Sequence, residues 1–300
     1  MLQKRTVGEK IFNAFNILFM LCLIVVCLYP LLFVLFASLS NAGQLIQHQG
    51  ILLWPLGMWP FGGAPNFEAY KLVFNDPKIM TGYMNTIIIV VGGVSVNLFL
   101  SSLGAYCLSR KDVLWNNLFA KLIVVTMVFN GGLIPLFLVV KGIGLNNTLL
   151  ALILPTAIST YNLIIMRTSF AAIPDSLSES AQIDGAGHWT ILFRIVLPLS
   201  KAVLAVMVLF YGVAHWNSWL HAVMFINSPD KRPLQVILRE ILVQNQMTDF
   251  TQGVGEADRH AVSETIKYAT VIIATLPILA LYPFIQKYFQ KGVMIGSVKG

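Results

Sequence analysis

The run FNILFMLCLIVVCLYPLLFVLF, Phe15–Phe36, contains no acidic or basic side chain between its ends. A membrane crossing needs about 20 helical residues, so this run is long enough to span a bilayer. It follows Lys4, Arg5 and Lys10, and in that respect it is like a secretory signal peptide. The apolar part of a signal peptide has only about 7–15 residues, however. We therefore predict a first membrane helix that is not cleaved.

The composition of the whole chain also indicates a protein that lies in a lipid bilayer. Of its 300 residues, 57% are hydrophobic and 11% are charged, whereas a typical soluble domain carries roughly 25% charged residues. The formal net charge is +7, but the basic residues are scattered singly. That pattern favours charge in cytoplasmic loops over nucleic-acid binding. The three cysteines lack the spacing of a metal site or a disulfide framework.

Five further apolar segments follow the first. Glycine and proline interrupt several of them, which a membrane bundle tolerates because neighbouring helices satisfy the freed backbone groups. The sequence therefore predicts an all-α membrane protein with six transmembrane helices in residues 15–290. The six predicted helices are Phe15–Phe36, Met84–Leu108, Leu118–Val140, Leu149–Met166, Ala202–Ile226 and Tyr268–Tyr288.

Basic side chains in the connections predict the orientation of these helices. They occur before the first helix, after the second, fourth and sixth, and are missing from the short third connection, Gly142–Thr148. Both termini are therefore predicted to be cytoplasmic, with residues 1–14 as an amino-terminal segment and residues 291–300 as a tail. Residues 227–264 are predicted to form an external loop, whose stretch PLQVILREILV (Pro233–Val243) is typical of an amphipathic helix. That helix could cover the bundle or contact another protein.

The most informative connection lies between the fourth and fifth helices and reads PDSLSESAQIDGAGHWTILFRIVLP, Pro174–Pro198. We predict a short helix, a bend and a second helix that ends at Pro198. Ser176 and Glu179 have the spacing of a capping box, and Gly185 and Gly187 permit a sharp turn. Trp189, Leu192 and Phe193 are predicted to form an exposed apolar ridge. Such a surface is suited to docking into another chain.

This connection resembles the EAA loop of ABC importer permeases, whose pattern is EAA-x3-G-x9-I-x-L-P. Glu179, Gly185, Ile195, Leu197 and Pro198 stand at the spacing of that pattern, and Ser180 replaces its first alanine. Asp184 and Ala186 match the common D-G-A core. The resemblance implies that this loop couples the chain to an ATPase. The coupling residues it implies are Glu179, Ser180, Ala181, Asp184, Gly185, Ala186, Phe193, Ile195, Leu197 and Pro198.

The resemblance extends over the whole chain and is to the carbohydrate-uptake branch, in particular to permeases of the maltose-permease G-subunit type and their relatives for oligosaccharides and uronate-containing sugars. It implies a type I ABC importer permease fold in the bacterial cell membrane. The partners it implies are a second permease in a heterodimer, two cytoplasmic ATPase subunits and an external solute-binding protein. ATP and Mg are expected on the ATPase, since this sequence has no Gly-Lys dipeptide and hence no P-loop.

Polar and aromatic residues within the apolar runs are candidates for a substrate path. Intramembrane polar groups usually face the bundle interior, where joining helices is a more common role than lining a path. Aromatic rings can stack on sugars, but at helix ends they are more often interface anchors. The candidates are Asn85, Asn130, Asn162, Tyr161, Tyr211, Trp216 and Asn217. His215 and His221 lack metal-ligand spacing and are expected to be hydrogen-bonded without a direct role.

Three other functions are compatible with a membrane location. A secondary transporter driven by an ion gradient would place ionisable residues in mid-membrane and show repeated halves, and the predicted helix centres contain neither Asp nor Glu. A membrane-bound enzyme would need a clustered catalytic set, and we identify no catalytic residues and no metal ligands. An ABC permease for a solute other than a sugar also stays open. The sequence does not identify the sugar.

Overall fold

The computed structural model describes residues 7–57, 64–243 and 256–297, and every regular element in this part of the chain is helical. The chain divides into two compact units. One comprises Met1–Asp76 with Glu240–Thr275, and the other comprises Pro77–Arg239 with Leu276–Gly300. Each unit is described by itself.

The first unit contains three helices and parts of two others. The complete helices are α1 (Val7–Ser38), α2 (Ala42–Gln47) and α3 (Glu68–Asn75), and the parts are residues 240–243 of α14 (Leu234–Val243) and the beginning of the long helix α15 (Glu256–Ser297). The hydroxyl groups of Ser38 and Tyr70 lie 2.7 Å apart and join α1 to α3. The rings of Phe33 and Tyr268 meet edge to face at 5.9 Å and join α1 to α15. The most apolar stretch of α1 has no buried residue within this chain.

The second unit is built around α4 (Pro77–Ser109), which packs against α8 (Thr160–Ala171) and α12 (Lys201–Trp216). Shorter helices complete it. They are α5 (Asn116–Val128), α6 (Leu133–Gly142), α7 (Leu150–Ile153), α9 (Asp175–Ile183), α10 (His188–Ile191), α11 (Leu197–Leu199), α13 (Trp219–Phe225) and α14 (Leu234–Val243).

Buried side chains form two clusters in the second unit. One cluster joins α4, α8 and α12 and includes Tyr106, Met166, Met207 and Tyr211. The other joins α4, α6, α7 and α13 and includes Ile89, Val140, Leu152 and Phe225. α4 contributes to both clusters, so it is the scaffold on which the remaining helices of this unit are placed.

Three sharp bends divide the apolar segments. α5 and α6 meet at 112°, α7 and α8 at 53°, and the helical segments 188–199 and 201–216 at 84°. At the first bend Gly132 has φ 87°, a left-handed conformation that glycine adopts without strain. The backbone N–H of Gly132 donates a 2.9 Å hydrogen bond to Oδ1 of Asn130. The interruption therefore follows from the local sequence Asn130-Gly131-Gly132.

The helices agree with the sequence prediction in part. In the described residues, Val7–Ser38, Pro77–Ser109 and Val262–Leu281 are each long and apolar enough to cross a membrane, and the count reaches six if each bent pair is one span. The predicted fifth helix is broken, since α12 ends at Trp216 and α13 begins at Trp219. α15 continues through Pro277 and Pro283 to Ser297, so most of the predicted tail is helical, and residues 298–300 lie outside the described chain.

The predicted amphipathic helix exists as α14, and its apolar side covers α4. Leu234, Val236 and Ile237 are buried, and the backbone N–H of Leu234 donates a 2.9 Å hydrogen bond to Oγ1 of Thr86. A Cβ added at Gly82 would lie 2.5 Å from a terminal carbon of Ile237, so the glycine permits this close packing. Residues 244–255 of the predicted external loop lie outside the described chain.

Candidate functional site

The segment 174–198, here called the coupling loop, is a helix–turn–helix. α9 is followed by a turn at 184–187, then by α10, a π-helical turn over Leu192–Val196, and α11. Its second half joins α12 through the bend at Ser200. The chain therefore enters and leaves this loop from the two helices, α8 and α12, that pack on α4.

The turn after α9 is a Schellman motif. The backbone N–H of Ala186 donates to the carbonyl of Ala181 at 2.9 Å, and that of Gly185 donates to the carbonyl of Gln182 at 3.0 Å. Gly185 has φ 83°, as this motif requires after the last helical residue. Ala181 and Ala186 each pack against the buried cluster that joins α4, α8 and α12. Two fixed positions of the EAA pattern, Ala181 and Gly185, therefore belong to one helix-ending motif.

The beginning of α9 differs from the prediction. The helix starts at Asp175, and the residue before it, Pro174, caps it without a side-chain hydrogen bond. Ser176 thus lies inside the helix, and the predicted capping box of Ser176 and Glu179 is wrong. The carboxylate of Asp175 is instead placed in the first turn, where the helix dipole favours negative charge. Nζ of Lys111 lies 2.8 Å from it, and this hydrogen bond and charge lower the pKa of Asp175.

The I-x-L-P part of the pattern contains the π-helical turn. The backbone N–H of Leu197 donates to the carbonyl of Leu192, five residues earlier. Proline has no N–H to donate and crowds the carbonyl four residues before it, and a wider turn relieves both problems. The helix consequently passes through Pro198 to Leu199 rather than ending at Pro198 as predicted.

The end of α4 holds both halves of the coupling loop. Nη1 of Arg110 donates a 2.8 Å hydrogen bond to Oγ of the buried Ser178 in α9. The Arg110 guanidinium also lies 4.6 Å from the ring centre of Tyr106. The hydroxyl of Tyr106 in turn lies 3.1 Å from Nδ1 of His188 at the start of α10. Sequence reasoning missed this connection because the residues share no motif and are distant along the chain.

The outer surface of the coupling loop combines apolar and acidic side chains. Ile183 is 87% exposed and Trp189 is 62% exposed, and Trp189 stacks on Phe193 with ring centres 5.9 Å apart. Glu179, Ser180, Asp184 and Pro198 are also exposed. Leu192, which was predicted to belong to the apolar ridge, is instead 2% exposed and part of the core. Ile195 and Leu197 pack against that core as well.

A cavity of ≈ 490 Å³ lies in the same unit, between the segment before α8 and the helices α12 and α13. Three of the predicted path residues, Asn162, Tyr211 and Asn217, line it. The complete lining is Pro155, Thr156, Ile158, Ser159, Asn162, Tyr211, Ala214, His215, Asn217, Ser218, Trp219, Leu220 and His221.

The other four predicted path residues lie elsewhere. Nδ2 of Asn85 donates to the backbone carbonyls of Asp230 and Arg232, at 2.8 and 3.2 Å. Asn130 caps the bend after α5, and Tyr161 is 55% exposed. Trp216 is buried with its ring against Tyr83. These four residues are therefore not among those that line the cavity.

Two chains of hydrogen bonds hold the cavity wall. The hydroxyl of Tyr211 lies 2.7 Å from that of Ser101 on α4. Nε2 of His215 lies 2.7 Å from Oδ1 of Asn97, whose Nδ2 donates to the carbonyl of Thr156 at 2.6 Å. His215 is therefore hydrogen-bonded as predicted, but it also lines the cavity. The intramembrane position of Asn97 was the sequence signal for this network.

Within the described residues, no group of three or more His, Cys, Asp or Glu side chains could hold a metal ion. Near the coupling loop, Lys111 forms an ion pair with Asp175 at the start of α9.

Comparison with known proteins is consistent with this architecture. Residues 102–295 match the family described as "Binding-protein-dependent transport system inner membrane component". Protein LplC of Bacillus subtilis is 40% identical over 98% of this chain and 97% of its own length. The polygalacturonan/rhamnogalacturonan transport system permease protein YtcP of the same organism is 40% identical over 97% of this chain and 99% of its own.

A solved structure shares both fold and sequence with this chain. It is a chain of a bacterial ABC transporter involved in the import of the acidic polysaccharide alginate. The TM-score is 0.84 at 30% identity, and the match covers 95% of this chain and 99% of that chain.

Proposed function

The chain belongs to the family of binding-protein-dependent transport system inner membrane components, and from this premise we propose how it takes part in carbohydrate import. Members of this family are membrane subunits of bacterial transporters rather than enzymes. In this role the chain forms half of a translocation pathway and receives mechanical work from an ATPase on a separate chain. ATP and Mg bind to that ATPase.

The observation that supports this function most strongly is the geometry of the coupling loop. The Schellman motif within the loop and the Arg110–Ser178 hydrogen bond stabilise its conformation. Its apolar rings and the carboxylates of Glu179 and Asp184 nevertheless face outward. Apolar side chains surrounded by charged ones are typical of a protein–protein contact. We assign this surface to the ATPase, with Glu179 opposite a basic partner.

The membrane topology follows from the same assignment. The three long apolar helices α1, α4 and α15, the pairs α5–α6 and α7–α8, and α12 with α13 each count as one crossing, which gives six spans with both termini and the coupling loop in the cytoplasm. The basic residues Arg110 and Lys111 on the end of α4, beside the loop, fit the positive-inside rule. A second permease forms a heterodimer with this chain, two ATPase subunits contact the pair from the cytoplasm, and an external solute-binding protein delivers the sugar.

The names of the relatives support an oligosaccharide as the substrate class. The YtcP system is named for polygalacturonan and rhamnogalacturonan, and the solved relative imports alginate. Polymers of this kind carry uronate units. We therefore propose an oligosaccharide, including ones with uronate units, as the transported solute.

The test is reconstitution of the full chain in proteoliposomes with the second permease, ATPase and binding protein encoded beside it. We expect ATP hydrolysis that increases when the binding protein carries an oligogalacturonide, together with uptake of that sugar. Uptake by this chain alone, driven by a proton or sodium gradient without ATP, would overturn the proposal in favour of a secondary transporter.

A further inference from the structure

The ≈ 490 Å³ cavity beside α12 has the size of a small-molecule site, for which about 300–1,000 Å³ is usual. Its wall is fixed in advance by the hydrogen bonds of Tyr211 to Ser101 and of His215 to Asn97. Gly93 on α4 leaves room for this arrangement, since a Cβ there would lie 2.7 Å from two ring carbons of His215. The polar groups are thus held in place without a ligand.

The hydrogen-bond chain determines which atom of His215 is available. Because Nδ2 of Asn97 donates to the carbonyl of Thr156, Oδ1 of Asn97 is the atom that faces His215. A carbonyl oxygen only accepts, so Nε2 of His215 carries the hydrogen. In a neutral imidazole this leaves Nδ1 as an acceptor. His215, a residue of the cavity wall, therefore has Nδ1 as its remaining hydrogen-bond acceptor, of the kind that a hydroxyl group uses.

The remaining lining has the character of a carbohydrate site. Asn162 supplies an amide donor and acceptor, Asn217 supplies Oδ1 while its Nδ2 donates to the carbonyl of Val213 at 3.0 Å, and Trp219 also lines the cavity. The Arg239 guanidinium lies 5.2 Å from the centre of the Trp219 ring, so a ligand that stacks on this indole uses its other face. Among the described residues of the lining, none is Lys, Arg, Asp or Glu. The wall thus offers hydrogen bonds and an aromatic face but no counter-ion for a carboxylate.

We propose that this cavity is a saccharide subsite of this subunit, which binds the hydroxyl groups and apolar face of one or two sugar rings and does not bind their carboxylates. This inference rests on the proposed function, since it names the part of the substrate that this chain recognises. His215, Asn162 and Asn217 hydrogen-bond to hydroxyl groups, and Trp219 stacks on the ring. Any carboxylate of the substrate is recognised outside this cavity.

The test measures weak binding directly by saturation-transfer NMR on the full chain in lipid nanodiscs. The probes are trigalacturonate and its methyl ester, which share the rings and hydroxyl groups but differ in charge. We expect the ester to bind at least as well as the free acid. Binding of the free acid about tenfold more tightly than the ester, or 1.4 kcal/mol, would overturn the proposal.

Two variants separate this site from nonspecific binding. Gln at position 215 can still donate to Asn97 but lacks the Nδ1 acceptor, so His215→Gln is expected to weaken ester binding about fivefold, the value of one hydrogen bond. Trp219→Ala is expected to weaken it by a similar factor. Trp54→Ala, which removes an exposed indole of the other unit, is the matched control and is expected to bind as the parent does.

Equal signals from the parent chain and both cavity variants would contradict the subsite. So would the lack of a signal with the parent chain. Neither result affects the reconstituted ATPase and uptake assay, so the subsite can fail while the proposed import function stands.

Discussion

Nη1 of Arg110, the residue directly after α4, donates a 2.8 Å hydrogen bond to Oγ of Ser178 in the middle of α9. Ser178 is 4% exposed, and Nε of the same guanidinium is buried without a partner. The contact is therefore a polar joint between a membrane helix and the coupling loop, and its loss would leave a further buried donor unpaired.

Ser178→Ala is expected to destabilise the chain by about 1–3 kcal/mol, the cost of a buried unpaired polar group, and to lower the amount of sugar imported per ATP. The checks are thermal unfolding in detergent and the ratio of uptake to ATP hydrolysis in proteoliposomes. Ser176→Ala is the matched control, because Ser176 is exposed and caps no helix end. An unchanged ratio for Ser178→Ala would show that the joint does not transmit coupling.

The two glycines of the coupling loop are expected to respond differently to alanine. Gly185 has φ 83° and Gly187 has φ −75°, and a Cβ at either position meets no atom within 4 Å. Their backbone conformations differ. Gly185→Ala should cost about 1–2 kcal/mol of stability and weaken ATPase binding, whereas Gly187→Ala, at the N-cap of α10, should cost less and leave ATPase binding intact. Measurement of co-purified ATPase for both variants tests this, and equal behaviour would contradict the role of the Schellman motif.

Charge reversal at Glu179 is expected to break the contact with the ATPase. Glu179→Lys should abolish sugar-dependent ATP hydrolysis while the chain still inserts into the membrane, because the side chain is exposed and its replacement disturbs no core. Asp112→Lys, at another exposed carboxylate beyond the end of α4, is the control and should hydrolyse ATP normally. Normal transport by Glu179→Lys would remove Glu179 from the mechanism.

Adjacent glycines on α4 offer a test of the packing around His215. Gly93→Ala would place a methyl group 2.7 Å from two carbons of the His215 ring, whereas Gly92→Ala meets only a terminal carbon of Ile153 at 3.3 Å. We expect the first variant to unfold several degrees below the parent, as overpacking costs about 1–3 kcal/mol, and the second to stay close to it. Similar melting temperatures for the two would show that His215 moves freely.

The sequence predicted most of the helices because lipid allows few alternatives for long apolar runs. The bend at Gly131-Gly132 could also be predicted, since it depends on local backbone preference. The break between Trp216 and Trp219 could not, because neither glycine nor proline lies between these residues, only Asn217 and Ser218. The bend at Ser200 likewise depends on packing against α4 and α8.

The sequence predicted the position of the coupling loop better than its detailed backbone structure. Its motif spacing located Gly185 and Pro198, but the π-helical turn depends on how Leu192 and Val196 are buried. The capping-box prediction at Ser176 was wrong because Pro174 is the N-cap, so the helix begins at Asp175, two residues earlier than that prediction requires. Among the residues that line the cavity, Asn162, Tyr211 and Asn217 were proposed from their residue type. The place of His215 could not be predicted in this way, because it depends on a hydrogen bond to Asn97, on a different helix.

The Schellman motif of the coupling loop has a consequence for the order of assembly. Because Ala186 and Gly185 satisfy the carbonyls of Ala181 and Gln182 within the loop, the loop is ordered before it meets the ATPase that we propose as its partner. The entropy of ordering is then lost during folding of the permease and not during association. Association is therefore expected to resemble the docking of two rigid bodies, so that a folded permease in the membrane serves as the template on which the ATPase assembles.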